Sequence, residues 1–241
     1  MSGRTMDTNN LSPDSLAAII DYTLLRPEVT MVEYSEFLRE ASAWGFASVF
    51  VPPCYVPLAS GMLSATGVRV GTPVSFPYGY ATPETKVAEA LDALEEGAEE
   101  LDVVMNVSAA LSGEWELGGE DIGAVGKAVR GWEELSRKGP VVIKLIIEAP
   151  YLSEDQKVEA CRRAVSAGVD FVKTATGLGP GGATVEDVAL MRRVVGQELG
   201  VKAAGGIRTF DDVRAMLEAG ANRIGTSAGP KVMETFLREY G

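Results

Sequence analysis

The sequence predicts a single domain with the (β/α)8 barrel fold, on three observations. Helix-like segments alternate with short apolar runs along most of the 241 residues. The apolar runs are continuous rather than alternating, which is typical of parallel strands that are buried on both faces. Eight such runs occur, and roughly 250 residues is the usual size of a barrel of eight β/α units. A doubly wound open sheet is the alternative that this pattern leaves open.

Most of the predicted strands follow a glycine that ends a helix-like segment. In order they are Asp21–Leu25, Ala47–Val51, Val68–Ser75, Leu101–Asn106, Val141–Glu148, Phe171–Thr174, Val201–Ala204 and Arg223–Thr226. No linker or low-complexity segment separates them in the sequence. We therefore predict one barrel domain over residues 11–241, preceded by a flexible tail over residues 1–10.

The predicted helices begin at capping residues and end at glycines. The capping residues are Thr30, Thr82, Ser153, Thr184 and Thr209. Thr82 is followed by a proline, which suits the first helical position, and each of the others has an acidic residue or Gln three positions later. The glycines expected in the left-handed conformation after a helix are Gly45, Gly97, Gly168, Gly200 and Gly220.

The composition argues against several kinds of function. A net charge of -12 disfavours a nucleic-acid partner, because phosphate backbones attract basic surfaces. We also expect no membrane partner, since no apolar run reaches the roughly 18 residues of a membrane span. The two cysteines, Cys54 and Cys161, form no CxxC pair. Reduced thiols in a cytoplasmic protein are therefore expected.

The chain contains no histidine. This excludes a Ser-His-Asp triad, a Cys-His pair and an HExxH zinc helix, and enzymatic zinc sites normally use imidazole ligands as well. We therefore predict that the protein needs neither a metal nor a cofactor. Any proton transfer would then depend on lysine, carboxylate or tyrosine side chains.

Four charged residues lie inside predicted strands, where a buried charge is costly unless it is paired. They are Asp102, Lys144, Lys173 and Lys202, on the fourth to seventh strands. Adjacent strands lie about 4.8 Å apart, so the four side chains are expected to meet in one cavity. Two alternatives remain: the lysines point outward between helices, or Asp102 accepts hydrogen bonds from backbone N–H groups.

Clustered lysines favour Schiff-base chemistry. Only the neutral amine attacks a carbonyl, and both burial and a neighbouring ammonium group lower the pKa of a lysine. A lysine beside a second lysine is therefore a typical arrangement for imine formation. On this hypothesis one of the lysines is the nucleophile, a neighbouring lysine lowers its pKa, and Asp102 balances the charge and can transfer protons.

Two glycine-rich segments, "AAGGIRT" and "RIGTSAG", follow the seventh and eighth predicted strands. In many barrels these two loops bind phosphate through backbone N–H groups and a helix N-terminus. The candidate phosphate ligands here are Gly205, Gly206, Arg208, Gly225 and Ser227. The alternative is that tight turns after strands require glycine in any case.

Six stretches match one known family: "IDYTLL", "VSFPYG", "KVAEALDALEEGAEELDVVMNV", "VIKLIIEAPYL", "FVKTATGLGPGGATVEDV" and "VKAAGGIRTFDDVRAMLEAGANRIGTSAG". On these motifs the chain resembles the 2-deoxyribose-5-phosphate aldolases, which are class I aldolases with a barrel fold. The matches extend from about residue 19 to residue 229.

The resemblance implies reversible cleavage of 2-deoxy-D-ribose 5-phosphate to acetaldehyde and D-glyceraldehyde 3-phosphate. It implies a Schiff base on Lys173 and proton exchange by Asp102 and Lys202, with Asp21 and Lys144 in supporting roles. The implied phosphate ligands are Gly177, Gly205, Gly206, Gly225 and Ser227. A homo-dimer or homo-tetramer is also implied.

The chain departs from the family pattern at Tyr22, where a histidine is common, and at Leu178 and Ala228. The last two remove a positive charge and a hydroxyl group that other members offer to phosphate. Two further hypotheses therefore remain beside the aldolase. One is a phosphate-binding barrel enzyme without covalent chemistry, such as an isomerase or synthase, and the other is a barrel that only binds a sugar phosphate or a partner protein.

Overall fold

Eight parallel strands close into a barrel in sequence order, and the last strand pairs with the first. The structure is a computed structural model that describes residues 11–136 and 138–240, with the backbone alone for residues 116–120. The strands are β1 (Ile20–Thr23), β2 (Ser48–Phe50), β3 (Arg69–Val74), β4 (Glu100–Val104), β5 (Val142–Ile146), β6 (Phe171–Lys173), β7 (Gly200–Ala204) and β8 (Arg223–Thr226). The barrel prediction is confirmed and the open-sheet alternative is wrong.

Helices connect successive strands around the outside of the barrel. They are α1 (Pro13–Ala17), α2 (Met31–Trp44), α3 (Val56–Leu63), α4 (Pro83–Glu95), α5 (Val107–Leu111), α6 (Trp115–Ser136), α7 (Glu154–Ser166), α8 (Val185–Val195), α9 (Phe210–Glu218) and α10 (Gly229–Tyr240). Within the described residues, none of these helices has the length and apolarity that a membrane crossing requires. The predicted tail at residues 1–10 lies outside the described residues.

The predicted helix starts are confirmed. The five capping side chains each accept a hydrogen bond from a backbone N–H group of the first turn. One predicted helix end is wrong: Gly200 lies in β7, and α8 instead ends at Gly196, whose φ is 57°. Gly200 serves packing, because a Cβ atom there would lie 2.2 Å from the ring of Phe171.

Three predicted strands, β1, β4 and β5, end two residues earlier than expected, and β5 stops at Ile146 rather than at Glu148. Glu148 has a φ of 50°, and this left-handed conformation cannot continue a strand. The apolar core lies mainly between the strands and the surrounding helices. The side chains that point into the barrel are therefore separate from this apolar core.

The interior of the barrel is charged rather than aliphatic, although branched aliphatic residues usually fill this space. Its buried charged residues are Asp21, Glu100, Asp102, Lys144, Lys173, Lys202 and Arg223. Two aromatic rings, of Phe50 and Phe171, lie among them. Each ring rests against a glycine of a neighbouring strand: a Cβ atom on Gly71 would lie 2.4 Å from the Phe50 ring.

Candidate active site

Lys173 ends β6 and lines a cavity of about 780 Å³ at the carboxyl ends of the strands. Lys144 and Lys202, the other two predicted lysines, are fully buried within the barrel. All three side chains therefore point inward, and the alternative with outward-pointing lysines is wrong. The three amines differ in access, since Lys173 is the one that lines this cavity.

The upper cluster consists of Asp102, Lys173 and Lys202. One carboxylate oxygen, Asp102 Oδ2, accepts hydrogen bonds from Lys173 Nζ at 2.6 Å and from Lys202 Nζ at 2.7 Å. Lys202 Nζ also lies 2.6 Å from Asp21 Oδ2. The predicted convergence is confirmed, and Asp102 bonds to lysine side chains rather than to backbone N–H groups. A single oxygen thus connects the accessible amine to a buried one.

The lower cluster consists of Glu100, Lys144 and Arg223. Glu100 Oε2 accepts from Lys144 Nζ at 2.5 Å, and Oε1 accepts from Arg223 Nη2 at 2.7 Å. Arg69, at the edge of the barrel, lies 3.4 Å from the same Oε1. The sequence analysis missed Glu100 and Arg223, although both are charged residues beside or within a predicted strand. The signal that identified the lysines would have found them.

Two contacts join the clusters. Lys144 Nζ lies 3.3 Å from Asp102 Oδ1 in the upper cluster. Asp21 contacts both clusters, since its Oδ1 lies 3.2 Å from Arg223 Nε. The seven buried charges therefore form one continuous network along the barrel interior. Asp21 and Lys144, predicted as supporting residues, occupy its centre.

The network contains more cations than carboxylates. Among the described residues, the interior holds four buried cations (Lys144, Lys173, Lys202, Arg223) and three carboxylates (Asp21, Glu100, Asp102). An unbalanced buried charge is costly, and proteins commonly avoid it by neutralising a group. Loss of one proton from one lysine would balance the network.

The pKa values of the upper cluster agree with this balance. Burial lowers the pKa of Lys202 to about 8, against the attraction of Asp102 and Asp21. Burial alone would raise the pKa of Asp102, but the surrounding lysines hold it well below its usual value. The same competition, with Arg223 as the main cation, lowers the pKa of Asp21. Both carboxylates therefore stay ionised, while Lys202 loses its proton more readily than an exposed lysine.

The lower cluster has the opposite tendency. Burial would lower the pKa of Lys144, but Glu100 and Asp102 outweigh it and raise the pKa. Arg223 is likewise held charged by Asp21 and Glu100, which raise its pKa against the effect of burial. Lys144 and Arg223 therefore keep their charges at neutral pH.

Phe50 provides an apolar wall beside all three lysines. Its ring centroid lies 3.9 Å from Lys202 Nζ, 4.6 Å from Lys144 Nζ and 5.9 Å from Lys173 Nζ. A ring face attracts cations and also displaces water. No sequence signal indicated this role, because a phenylalanine inside a strand usually belongs to the apolar core.

The predicted phosphate ligands all line the same cavity as Lys173. They are Gly177, Gly205, Gly206, Arg208, Gly225 and Ser227. Gly177, Gly205 and Gly206 have φ values of 85°, 98° and 82°, in the region that other residues rarely adopt. Ser227 lies two residues before the first residue of α10. The structure thus brings the glycine turns and the lysine to one cavity.

Several cavity residues escaped the sequence analysis. Thr226 ties the last two glycine turns together: its Oγ1 donates to Ile207 O at 2.7 Å and accepts from Ala228 N–H at 2.9 Å. Arg26 also lines the cavity, but it pairs with Glu28 at 3.0 Å. Thr226 lies within the segment "RIGTSAG" but was not singled out as a functional residue, and Arg26 lies in no quoted motif.

The departures from the family pattern are visible in the cavity wall. Tyr22 and Leu178 both line it. Tyr22 Oη donates to Glu40 Oε2 at 2.6 Å, and burial together with this carboxylate raises the pKa of the phenol. Leu178 is exposed and offers no charge. In the part of the chain that the structure describes, no cluster of three or more His, Cys, Asp or Glu side chains is arranged to hold a metal ion.

Comparison with known proteins identifies the family. The family model described as "DeoC/LacD family aldolase" matches residues 8–234. A deoxyribose-phosphate aldolase from Caldanaerobacter subterraneus subsp. tengcongensis is 51% identical over 225 residues, which are 93% of this chain and 95% of that protein. The deoxyribose-phosphate aldolase of Bacillus subtilis is 47% identical over 220 residues, 91% of this chain and 95% of its own length.

A solved structure agrees. The deoxyribose phosphate aldolase from Aeropyrum pernix, described as a unique tetramer, superposes with a TM-score of 0.81 at 37% sequence identity, over 94% of this chain and 92% of that one. The family model and the relatives span nearly the whole barrel, including both charged clusters and the glycine turns. The chain therefore belongs to the DeoC/LacD family of aldolases and is a carbon–carbon lyase.

Proposed function

We propose that this protein reversibly cleaves 2-deoxy-D-ribose 5-phosphate to acetaldehyde and D-glyceraldehyde 3-phosphate through an imine on Lys173. One observation carries the mechanism: Lys173 lines the cavity and shares Asp102 Oδ2 with the buried Lys202. The names of the relatives, all deoxyribose-phosphate aldolases, support the substrate. The glycine turns in the same cavity favour a phosphorylated sugar.

The reaction begins with a neutral amine on Lys173. The excess of one cation in the network and the pKa of about 8 for Lys202 make a state in which one proton is missing accessible near neutral pH. Because both ammonium groups bond to Asp102 Oδ2, a proton can pass from Lys173 to neutral Lys202 along these hydrogen bonds. Neutral Lys173 then attacks the C1 aldehyde of the open-chain sugar. The proton now held by Lys202 passes to the hydroxyl group that leaves, and water departs as the iminium forms.

The iminium draws electrons from the bond between C2 and C3. Asp102 and Lys202 accept the proton of the C3 hydroxyl group as this bond breaks and D-glyceraldehyde 3-phosphate leaves. An enamine of acetaldehyde then remains on Lys173. Returning the proton to C2 restores the iminium, and water releases acetaldehyde and the free amine. The network thus donates a proton and takes it back during the reaction, and no redox step is needed.

The phosphate group is held mainly by backbone N–H groups. Leu178 and Ala228 contribute neither charge nor hydroxyl, so the supporting groups are the glycine turns, Ser227 and Arg208. The start of α10 directly after the last turn adds the positive end of a helix dipole. Clustered N–H groups of this kind can bind a dianion without a lysine.

Borohydride trapping tests this proposal. The protein is incubated with the sugar phosphate, or with acetaldehyde, in the presence of a chelator and then reduced. We expect a mass increase on the peptide that carries Lys173, and unchanged turnover after chelation. An adduct on Lys144 or Lys202 would overturn the assignment, and rescue of lost activity by a divalent ion would overturn the metal-free mechanism.

The other outcomes of trapping separate the remaining hypotheses. Turnover without any adduct would favour a phosphate-binding enzyme without covalent chemistry. Binding of the sugar phosphate without turnover would favour a binding protein. We further propose a cytoplasmic homo-oligomer, a dimer or tetramer without nucleic-acid or membrane partners, and the tetrameric Aeropyrum pernix relative supports the assembly. Light scattering of the purified protein measures the oligomeric state.

A further inference from the structure

Glu148 follows β5 and belongs to neither charged cluster. Its φ of 50° is one of two positive values recorded for residues other than glycine in the described chain. The side chain is almost fully buried, at 1% exposure. A left-handed conformation is unfavourable for a residue with a Cβ atom and persists only where its surroundings hold it. Such strain often marks a functional position.

Three hydrogen bonds tie this turn to the segment that begins at Lys173. Ile147 N–H donates to Lys173 O at 3.0 Å, and Ala149 N–H donates to Thr174 O at 2.8 Å. Between them, Glu148 Oε2 accepts from Thr176 N–H at 2.8 Å. The carboxyl group therefore extends the strand pairing into the loop that follows the nucleophile.

The second carboxyl oxygen supports the same loop by contact. Among the residues that the structure describes, no donor reaches Glu148 Oε1. A Cβ atom on Gly179 would lie 2.6 Å from this oxygen and 3.3 Å from the ring of Tyr151. The φ of Gly179 is not in the left-handed region, so glycine is needed here for space. The loop thus rests directly on the carboxyl group.

The far end of the loop packs on the glycine turn after β7. Ala183 N–H donates to Gly205 O at 3.0 Å, and a Cβ atom on Gly182 would lie 2.3 Å from that oxygen. Between the two anchors, Thr176, Gly177 and Leu178 form part of the cavity wall. The loop is therefore held at one end by Glu148 and at the other by a predicted phosphate turn.

We propose that Glu148 is a positioning residue that fixes the loop Thr174–Ala183 and so sets the affinity of the site for the phosphate group of its substrate. The residue does not line the cavity and acts through Thr176 and Gly177. This inference rests on the proposed function, because Gly177 is assigned to phosphate there. The structural part of the inference is that the contacts of Glu148 with Thr176 and Gly179 hold the loop in place. We call these contacts the clamp, and they do not depend on the proposed function.

The chemistry of the carboxyl group provides a conservative substitution. Burial raises the pKa of Glu148, against the N–H group of Thr176 and the charge of Lys173. The hydrogen bond from Thr176 N–H requires an oxygen acceptor, which a carboxamide of the same shape also provides. Glu148→Gln keeps an oxygen that accepts from Thr176 N–H, whereas Glu148→Ala removes it.

Five variants test the clamp: Glu148→Gln, Glu148→Ala, Gly179→Ala, the double variant Glu148→Ala/Gly179→Ala, and the control Gly181→Ala. A Cβ atom on Gly181 would meet only the side chain of Pro150, at 3.3 Å. The rate of amide hydrogen exchange in the peptide around Thr176 measures how firmly the loop is held, and this measurement does not depend on enzyme activity. Steady-state kinetics with phosphorylated and unphosphorylated deoxyribose report the effect on the site.

We expect Glu148→Ala and Gly179→Ala each to speed exchange around Thr176 and to raise KM for the phosphorylated sugar by about tenfold, the effect of one lost hydrogen bond to a charged or buried group. The kcat value at saturation and the kinetics of the unphosphorylated sugar should change much less. Glu148→Gln and Gly181→Ala should behave like the parent. Gly179→Ala should add little to Glu148→Ala, because the atom that it contacts is then absent.

Two results would overturn the inference. One is equal damage by Gly179→Ala with and without the Glu148 side chain, and the other is an equal loss of kcat on both sugars. If Glu148→Ala fails to fold, the comparison of Gly179→Ala with Gly181→Ala decides. Equal rates of hydrogen exchange around Thr176 in these two variants would refute the clamp. Failure of the proposed function is distinct: the parent would then form no adduct with borohydride, while the exchange data would still test the clamp.

Discussion

The upper and lower clusters of the barrel interior each combine one carboxylate with two cations, and they differ in how these charges are paired. In the upper cluster, two ammonium groups share the single oxygen Asp102 Oδ2. In the lower cluster, Lys144 and Arg223 each have their own oxygen of Glu100. Accordingly, the pKa of Lys202 is lowered and that of Lys144 is raised.

The difference shows that burial alone does not decide how a lysine titrates. Lys144 and Lys202 are both fully buried and both lie near the Phe50 ring. The ratio of carboxylates to cations around each amine decides the direction. Lys144 Nζ lies within ion-pair distance of three carboxylates, whereas Lys202 Nζ lies near two. The upper cluster also opens to the cavity through Lys173, so it suits proton exchange. The lower cluster is buried away from the cavity, so it suits structural support.

Removing the accessible amine should have the largest effect. We expect Lys173→Leu to abolish the borohydride adduct and to lower turnover by on the order of 10⁴-fold or more, as the loss of a nucleophile does elsewhere. The fold should persist, because Asp102 keeps its contacts with Lys202 and Lys144. Circular dichroism and trapping measure both points. An adduct of undiminished yield on the variant would disprove the role of Lys173.

Removing the proton partners should come next. We expect Lys202→Leu and Asp102→Asn to lower kcat by about 10²- to 10⁴-fold, the usual contribution of general acid–base groups. Asp102→Asn keeps the shape of the side chain but loses the charge that links the amines. Steady-state kinetics measure the loss. Activity within a few-fold of the parent would contradict the proton-exchange role of the upper cluster.

The pH dependence gives a third test. Raising the pH through the Lys202 pKa of about 8 removes one proton from the network and frees an acceptor for the Lys173 proton. The rate of imine formation should therefore rise with pH, by about tenfold per unit below this pKa, and level off above it. The midpoint belongs to the coupled cluster. A rate that falls between pH 7 and pH 9 would contradict this sign.

Substitutions in the glycine turns that line the cavity should act mainly on KM. Gly206→Val forces a branched residue into a φ of 82°, which distorts the turn, whereas Ser227→Ala removes one hydroxyl group. We expect the valine variant to raise KM for the phosphorylated sugar by about tenfold or more and the alanine variant by only a few-fold. Kinetics with unphosphorylated deoxyribose serve as the control. A larger effect of Ser227→Ala would contradict phosphate binding by backbone groups.

The lower cluster should have the smallest effect on turnover. Lys144→Met leaves Glu100 with Arg223 and the partly exposed Arg69, so we expect a loss of stability of about 3 kcal/mol, at the low end for a broken buried pair. The loss of kcat should be smaller than in Lys202→Leu. Denaturant unfolding and kinetics measure the two quantities.

A matched control lies outside the barrel. Lys86 is also fully buried and pairs with Asp121 at 2.8 Å. Lys86→Met should lose stability to a similar degree while kcat stays unchanged. If Lys144→Met lost as much kcat as Lys202→Leu, the distinction between the two clusters would not hold.

The sequence by itself determined the helices and strands of this protein and the residues that carry its proposed chemistry. Caps such as Thr30, glycines such as Gly45 and the apolar runs are local signals, since helix ends and strand burial depend on neighbouring residues. Lys173 was identifiable because an ammonium group inside an apolar run needs a partner. The glycine turns after the last two strands were identifiable for a similar local reason.

The tertiary structure decided the contacts that give these residues their chemistry. Barrel closure brings Lys202 to Asp102 across 100 positions of the chain and Arg223 to Glu100 across 123. The packing of distant strands and loops decides which lysine reaches the cavity and which carboxylate oxygen is shared. It also decides that Phe50 lies beside the lysines and that Glu148 contacts the loop after β6. No local pattern records such contacts, because their energies arise only when burial removes water and brings the charges together.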